Sequence, residues 1–132
     1  MISDRLFVYG TLMRGFDHPM AKLLSGHADF LGEASCQGRL YLVQHYPGLV
    51  KSDDPADIVH GELYRLRARD AVLRELDIYE ACGEGFAEPT EYLRQMLAVT
   101  LADGAAGEAW TYLYNWPVTQ LQRIASGRFL AR

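Results

Sequence analysis

The apolar run Leu6-Phe7-Val8-Tyr9 breaks off at Gly10 and leads into Thr11-Leu12-Met13, which limits the fold more than any other stretch of the chain. Four strand-forming residues favour a pleated, packed conformation. The glycine allows a backbone dihedral that other residues resist, so the strand is expected to stop there. Thr11 and Leu12 then present consecutive backbone N–H groups without a ladder partner, a concavity suited to a carboxylate or carbonyl oxygen. A strand followed by Gly-Thr is by itself an ordinary turn, so a functional reading needs a second motif.

The remainder reads as short extended pieces with few helices. Residues 17 to 26 carry Met20, Ala21, Leu23 and Leu24 between Pro19 and Gly26, the pattern of a short helix beginning near Asp17. Ala28 to Val43 reads as two extended pieces bent at a glycine, as barrels turn corners. Tyr46 to Val50 is a further extended piece in which Pro47-Gly48 is expected to set a turn, and residues 52 to 57 form a polar surface loop. Ile58 to Leu66 alternates as a strand. The period then changes, and Val72, Leu73, Leu76 and Tyr79 share one apolar helical face over 68 to 79. A Gly-, Pro- and acid-rich loop follows from Ala81 to Glu91. Tyr92 to Leu101 and Glu108 to Tyr114 read as strands joined at Asp103-Gly104. Trp116-Pro117 ends the last strand, and Gln120 to Arg132 is expected to be a short helix and a tail.

The chain has 132 residues, 49% of them hydrophobic, enough for one core and one domain over 1 to 132. A net charge of −4 without a basic stripe argues against a nucleic-acid partner. Arg65, Arg67 and Arg69 are the only local cluster, read as the solvated face of a strand end. Neither Cys36 and Cys82 nor His18, His27, His45 and His60 show metal-ligand spacing, so no metal is expected. No apolar run is long enough for a bilayer, which sets a membrane partner aside. The first strand begins too soon after Met1 for a signal peptide, and a cytoplasmic protein is the expectation. A monomer and a homodimer both stay open.

The second motif is Leu76-Asp77-Ile78-Tyr79-Glu80. It follows Tyr9-Gly10-Thr11-Leu12-Met13-Arg14 and is accompanied by Gly38-Arg39-Leu40-Tyr41, Tyr46-Pro47-Gly48-Leu49, His60-Gly61-Glu62-Leu63-Tyr64 and Tyr92-x-Arg94. In this order the motifs resemble the gamma-glutamylcyclotransferase-like family, of the gamma-glutamylamine cyclotransferase type, over nearly the whole chain. The resemblance implies an α+β fold: a small mixed β-barrel with one main packed helix. The strand pattern by itself supports an α+β domain but not the closure of a barrel.

The resemblance also implies an intramolecular aminolysis. The free α-amine of a gamma-glutamyl group attacks its own side-chain carbonyl, forming 5-oxoproline and releasing an amine or amino acid. Nucleophile and carbonyl share one molecule, so the enzyme needs to fold the substrate and move protons, and no cofactor is required. Glu80 is the implied general base and acid. It leaves the end of a helix, whose partial negative charge disfavours ionisation, and burial acts in the same direction. Tyr9, Gly10, Thr11 and Leu12 correspond to the substrate loop. Arg94 and Tyr114 match residues placed near the pocket, although an ion pair of Arg94 with Asp77 explains Arg94 equally well. Tyr41 and Tyr64 read as barrel-wall aromatics. Cys82 has no Cys-His pattern, and no serine sits in a nucleophile-elbow context.

The chain departs from the common family pattern just after the glutamate, where Ala81-Cys82-Gly83 replaces the usual glycine. The acids Glu84, Glu88 and Glu91 in the following loop would favour a cationic or neutral leaving amine over an anionic one. The competing reading is a non-catalytic module that binds a small carboxylate metabolite in the same pocket. A pure binder of an anion gains nothing from a buried carboxylate, which favours the enzyme.

Overall fold

A computed structural model describes residues 3–14, 18–82 and 85–129. The opening apolar run forms β1 (Arg5–Val8), with Leu6, Phe7 and Val8 buried. Gly10 ends it for a reason other than the expected dihedral. Its φ is not in the left-handed region. Instead, a Cβ there would lie 2.6 Å from Cγ of Pro47, so the glycine makes room for a neighbouring strand. Met13 N–H then donates to Gly10 O at 3.1 Å and closes the turn.

Helix α1 (Pro19–His27) opens with proline in its first turn and His18 as N-cap. Imidazole Nδ1 of His18 accepts from Met20 N–H at 3.1 Å, which satisfies one orphan donor. The expected start at Asp17 lies outside the described residues. The stretch from Ala28 becomes two strands, β2 (Ala28–Gln37) and β3 (Arg39–Leu42), and β2 bends where its register shifts between Phe30 and Gly32. Pro47-Gly48 makes no turn. Both residues belong to β4 (Pro47–Val50), paired with Leu42 and Tyr41, and the turn falls earlier, where Val43 N–H donates to Tyr46 O. Proline is tolerated as the first residue of a strand because its missing N–H is not needed there.

β5 (Ile58–Leu66) and α2 (Arg69–Tyr79) fall where the change of period places them. α2 buries Val72, Leu73 and Leu76, with Asp70 in its first turn. Each such buried aliphatic contributes roughly 1.5–3 kcal/mol. Tyr79 does not join that face: it is 42% exposed and turns toward α1. β6 (Tyr92–Leu101) and β7 (Ala106–Tyr114) form a regular antiparallel pair. The helix expected after Gln120 is absent among the described residues. In its place β8 (Gln122–Arg123) pairs with β3, and Arg123 Nη2 reaches Asp57 Oδ1 at 2.8 Å. Apolar Leu121 and Ile124 alone are too few for a helical face, and Gly127, at φ 69°, breaks the chain direction shortly afterwards.

All eight strands join one sheet in the order β1-β5-β2-β6-β7-β4-β3-β8. A further parallel pairing, Leu6 opposite Trp110, returns β7 to β1 and closes five strands into a barrel. The remaining three extend from β7 through the parallel pair Leu49–Leu113. Both helices of the described residues, the short α1 and the main α2, pack together beside the barrel as the sequence pattern leads one to expect. Tyr64 is fully buried in the wall, as its expected role requires. No described helix is long and apolar enough to cross a membrane.

Candidate active site

A cavity of about 240 Å³ opens where the end of β1, the C-terminal end of α2 and the start of β6 meet. Its wall includes Tyr9, Gly10, Thr11 and Leu12, the motif that ends the first strand, together with Glu80. The two motifs, some seventy residues apart in sequence, therefore face one space.

The loop is held from outside the cavity. Arg14 N–H donates to Glu62 Oε1 at 2.8 Å, and the Arg14 guanidinium lies 3.7 Å from the Phe30 ring centroid. Glu62 is buried and also accepts from Tyr64 Oη at 3.1 Å, so the Gly-Glu-Leu-Tyr stretch of β5 anchors the loop exit. Among the described residues, no acceptor takes the N–H of Thr11 or Leu12. Unpaired backbone donors beside a cavity form a ready site for an anion or a polarised carbonyl.

Tyr9 has its hydroxyl committed to the backbone. It donates to Tyr112 O at 2.5 Å and accepts from Leu49 N–H at 3.3 Å, tying β1 to β7 and β4. Burial raises its pKa well above the usual tyrosine value, with the charge of Glu80 adding to the effect.

Glu80 caps α2, and its placement follows from how the helix ends. Ala81 N–H donates to Ile78 O at 3.1 Å and Cys82 N–H to Asp77 O at 3.0 Å. This doubled pairing is the Schellman arrangement, which places the residue after the cap in the left-handed region. Here that residue is Ala81, at φ 54°. Asp77, one turn earlier, clamps the helix to the sheet. Its Oδ1 accepts from Tyr112 Oη at 2.7 Å and Arg94 Nε at 2.8 Å, and its Oδ2 from Arg94 Nη2 at 3.1 Å.

The Glu80 carboxyl is partly buried and receives no hydrogen bond from the described residues. Burial pushes its pKa from 4.5 up to about 7, with the carboxylate of Glu91 as a second, smaller cause. A group with that affinity both takes and returns a proton near neutrality.

The other expected site residues lie further away. Arg94 is not part of the cavity wall: it sits on the opposite flank of α2, paired with Asp77 and 4.5 Å from the Trp110 ring centroid. Tyr114 lies one layer behind the wall. Its ring stacks edge-on at 5.5 Å against Tyr92, which does line the cavity, and fills the space left by the missing side chain of Gly48.

Two further groups were not assigned a role from sequence. Tyr46 Oη donates to Glu91 Oε2 at 2.6 Å in the cavity wall. At the mouth, Tyr79 Oη lies 2.9 Å from His18 Nε2 and also hydrogen-bonds Thr11. Because His18 Nδ1 accepts from the backbone, a neutral ring carries its proton on Nε2 and donates to Tyr79, and the Thr11 contact, which lowers the Tyr79 pKa, is one in which Thr11 donates. The Tyr-Glu and Tyr-Pro-Gly motifs contained these tyrosines, but only the assembled fold shows their hydroxyls meeting anything. Among the described residues, no group of three His, Cys, Asp or Glu side chains is set to hold a metal ion.

Residues 6–131 match the family described as gamma-glutamyl cyclotransferase, AIG2-like. A protein of Citrobacter rodentium named gamma-glutamylcyclotransferase family protein YtfP is 38% identical over 131 residues, spanning 97% of this chain and 96% of its own. Its namesake from Escherichia coli K12 is 37% identical over 131 residues, 97% of each. The solution NMR structure of E. coli YtfP superposes with a TM-score of 0.62 at 36% identity over 96% of each chain. The crystal structure of an AIG2-like protein from Mus musculus gives a TM-score of 0.71 at 26% identity, over 91% of this chain and 82% of that one.

Proposed function

Since this chain belongs to the gamma-glutamyl cyclotransferase, AIG2-like family, we propose that it cyclises a gamma-glutamyl amine or gamma-glutamyl amino acid, with Glu80 as general base and acid. The observation that carries this reading is one cavity lined both by a raised, unpartnered carboxyl and by the free N–H groups of Thr11 and Leu12.

Glu80 in its ionised form accepts a proton from the substrate α-ammonium. The freed amine attacks the gamma-carbonyl carbon, and a new C–N bond closes the five-membered ring. The carbonyl oxygen gains negative charge during attack. Donors aimed at such an oxygen are typically worth about 3–4 kcal/mol each in transition-state stabilisation, and the N–H groups of Thr11 and Leu12 are suited to the task. Alternatively one of them holds the α-carboxylate while the other meets the carbonyl. Collapse of the tetrahedral intermediate breaks the original C–N bond, and Glu80 returns its proton to the departing nitrogen. The ring nitrogen, which still carries one proton more than a lactam, releases it to solvent, so the products are 5-oxoproline, a free amine and one proton that the amine takes up near neutrality, with no water consumed. Tyr9 serves as a positioning residue, since its hydroxyl is occupied by Tyr112 and Leu49.

The test is release of 5-oxoproline from a panel of gamma-glutamyl amines and dipeptides, by the protein and by Glu80→Gln. Turnover that drops by two to four orders of magnitude in the variant, the range for lost acid–base catalysis, supports the reading. Turnover unchanged in the variant removes Glu80 from its role. Binding of the panel without turnover favours a carboxylate-binding module.

A further inference from the structure

The cavity wall holds a second carboxylate that the reaction does not use. Glu91, just before β6, lines the same space as Glu80. Tyr46 Oη fixes its Oε2 at 2.6 Å, and no described residue donates to its other oxygen. Tyr46 in turn packs near two other rings of the same wall, 6.3 Å from Tyr92 and 5.1 Å from His45. No lysine or arginine of the described residues lines the cavity. Of the three loop acids, Glu88 lies outside the wall and Glu84 outside the described residues, which leaves Glu91 as the one whose charge acts inside.

We propose that Glu91 determines substrate specificity: its carboxylate receives a second, cationic nitrogen on the leaving amine, so gamma-glutamyl derivatives of diamines are preferred over those of neutral amines or acidic amino acids. This rests on the gamma-glutamyl reading of the cavity. A carboxylate fixed by one tyrosine and bordered by aromatic rings offers an ammonium both a charge-assisted hydrogen bond and ring faces to lie against. An anionic leaving portion meets Glu80 and Glu91 with no cationic side chain to offset them. The substrate's own α-ammonium is another cation that a carboxylate can hold. That group is common to every gamma-glutamyl compound, so only the contrast between leaving groups isolates the proposed contact.

The experiment compares gamma-glutamyl putrescine, its uncharged near-isostere gamma-glutamyl pentylamine, and gamma-glutamyl glutamate. Turnover (kcat/KM) and calorimetric Kd are measured for the wild type, Glu91→Gln and Tyr46→Phe, with melting curves to confirm folding. One charge-assisted contact predicts about a tenfold to hundredfold preference for the putrescine compound over the pentylamine compound. In Glu91→Gln that ratio falls to near one, whatever the absolute rates. In Tyr46→Phe, which keeps the charge and frees the carboxylate to move, the ratio falls partway. A wild-type ratio near one overturns the proposal, as does a ratio that survives Glu91→Gln, or a loss in that variant that is equal for all three compounds. If the wild type turns over none of them, cyclisation itself is refuted, and the Kd ratio decides alone: retained and Glu91-dependent, it keeps the subsite; absent, it removes it.

Discussion

Replacing Glu80 by glutamine is expected to make the protein more stable, and the gain should depend on pH in a calculable way. Folded Glu80 holds its proton up to about pH 7, whereas its ordinary value is 4.5. Each tenfold change in proton affinity corresponds to about 1.4 kcal/mol, so the difference amounts to roughly 3 kcal/mol. The raised value means that the stabilising contribution is fully present below pH 4.5, where both states are protonated, and is lost as pH rises through 7. Above that, the folded protein carries a poorly solvated charge that the unfolded chain exposes to water. Glutamine never ionises. The stability of Glu80→Gln relative to wild type should therefore climb by about 3 kcal/mol between pH 4.5 and pH 8. Urea denaturation at half-unit steps reads this as a growing separation of midpoints, about 1–3 M for slopes usual in small proteins. Repeating the series in a Glu91→Gln background should shrink the climb, because part of the raised affinity comes from that carboxylate. A midpoint difference that stays constant across the range would refute the reasoning, since it would mean that Glu80 is hydrated like any surface acid.

Ala81→Gly should raise the melting temperature. Relief of a left-handed alanine is worth roughly 1–2 kcal/mol, offset by about 0.4–1 kcal/mol of added unfolded-chain entropy, for a net rise of about 2–4 °C; a lower melting point in scanning calorimetry contradicts the strain. Gly10→Ala should cost about 1–3 kcal/mol, the usual range for overpacking, because its Cβ would press on Pro47; an unchanged urea midpoint would show that the loop shifts freely. Arg94→Gln leaves the Asp77 carboxylate with Tyr112 and little else, and should cost about 1.5–3 kcal/mol. Its activity loss should appear in kcat, through the seating of α2, and a pure rise in KM would instead place Arg94 on the substrate. Wild-type kcat/KM should rise with pH through an inflection near 7, and in Glu91→Gln that inflection should move down; a pH-independent rate would exclude Glu80 as the base.

The elements that sequence revealed are those whose signal is local. The strand Ile58–Leu66 alternates over nine residues, and α2 changes period where the side chains do. The two motifs of the site were legible because each is a contiguous string. What escaped was set by distant partners. Pro47-Gly48 looks like a turn to its own neighbours, yet Pro47 fills the space that Gly10 leaves and Gly48 leaves space for Tyr114. Gln122 and Arg123 have no strand signal and pair with β3, where Asp57, itself buried in a polar loop, draws in Arg39 and Arg123. Tyr79 has the spacing of a core residue but a hydroxyl that finds His18. Arg94 follows a motif that suggests proximity to the cavity, and only the sheet register shows that it stands on the far flank of α2.

The pairing of β1 with β7 has a consequence for the order in which the molecule comes into being. The Tyr-Gly-Thr-Leu loop precedes in the chain every partner that shapes it, and those partners are distant in sequence. Glu62 of β5 anchors its exit, and the carbonyl of Tyr112 in β7 receives the Tyr9 hydroxyl. Such long separations make closure slow relative to local contacts, and local elements such as α2 can form well before it. Until the last long strand emerges and docks, Tyr9 has no acceptor at β7 and the loop no fixed shape. A nascent chain that stops at the end of β6 already contains Glu80 and the whole Tyr-Gly-Thr-Leu segment, yet it possesses neither barrel nor cavity. Glu80 and the backbone of Thr11 and Leu12 are thus brought to face one cavity only by the final closure.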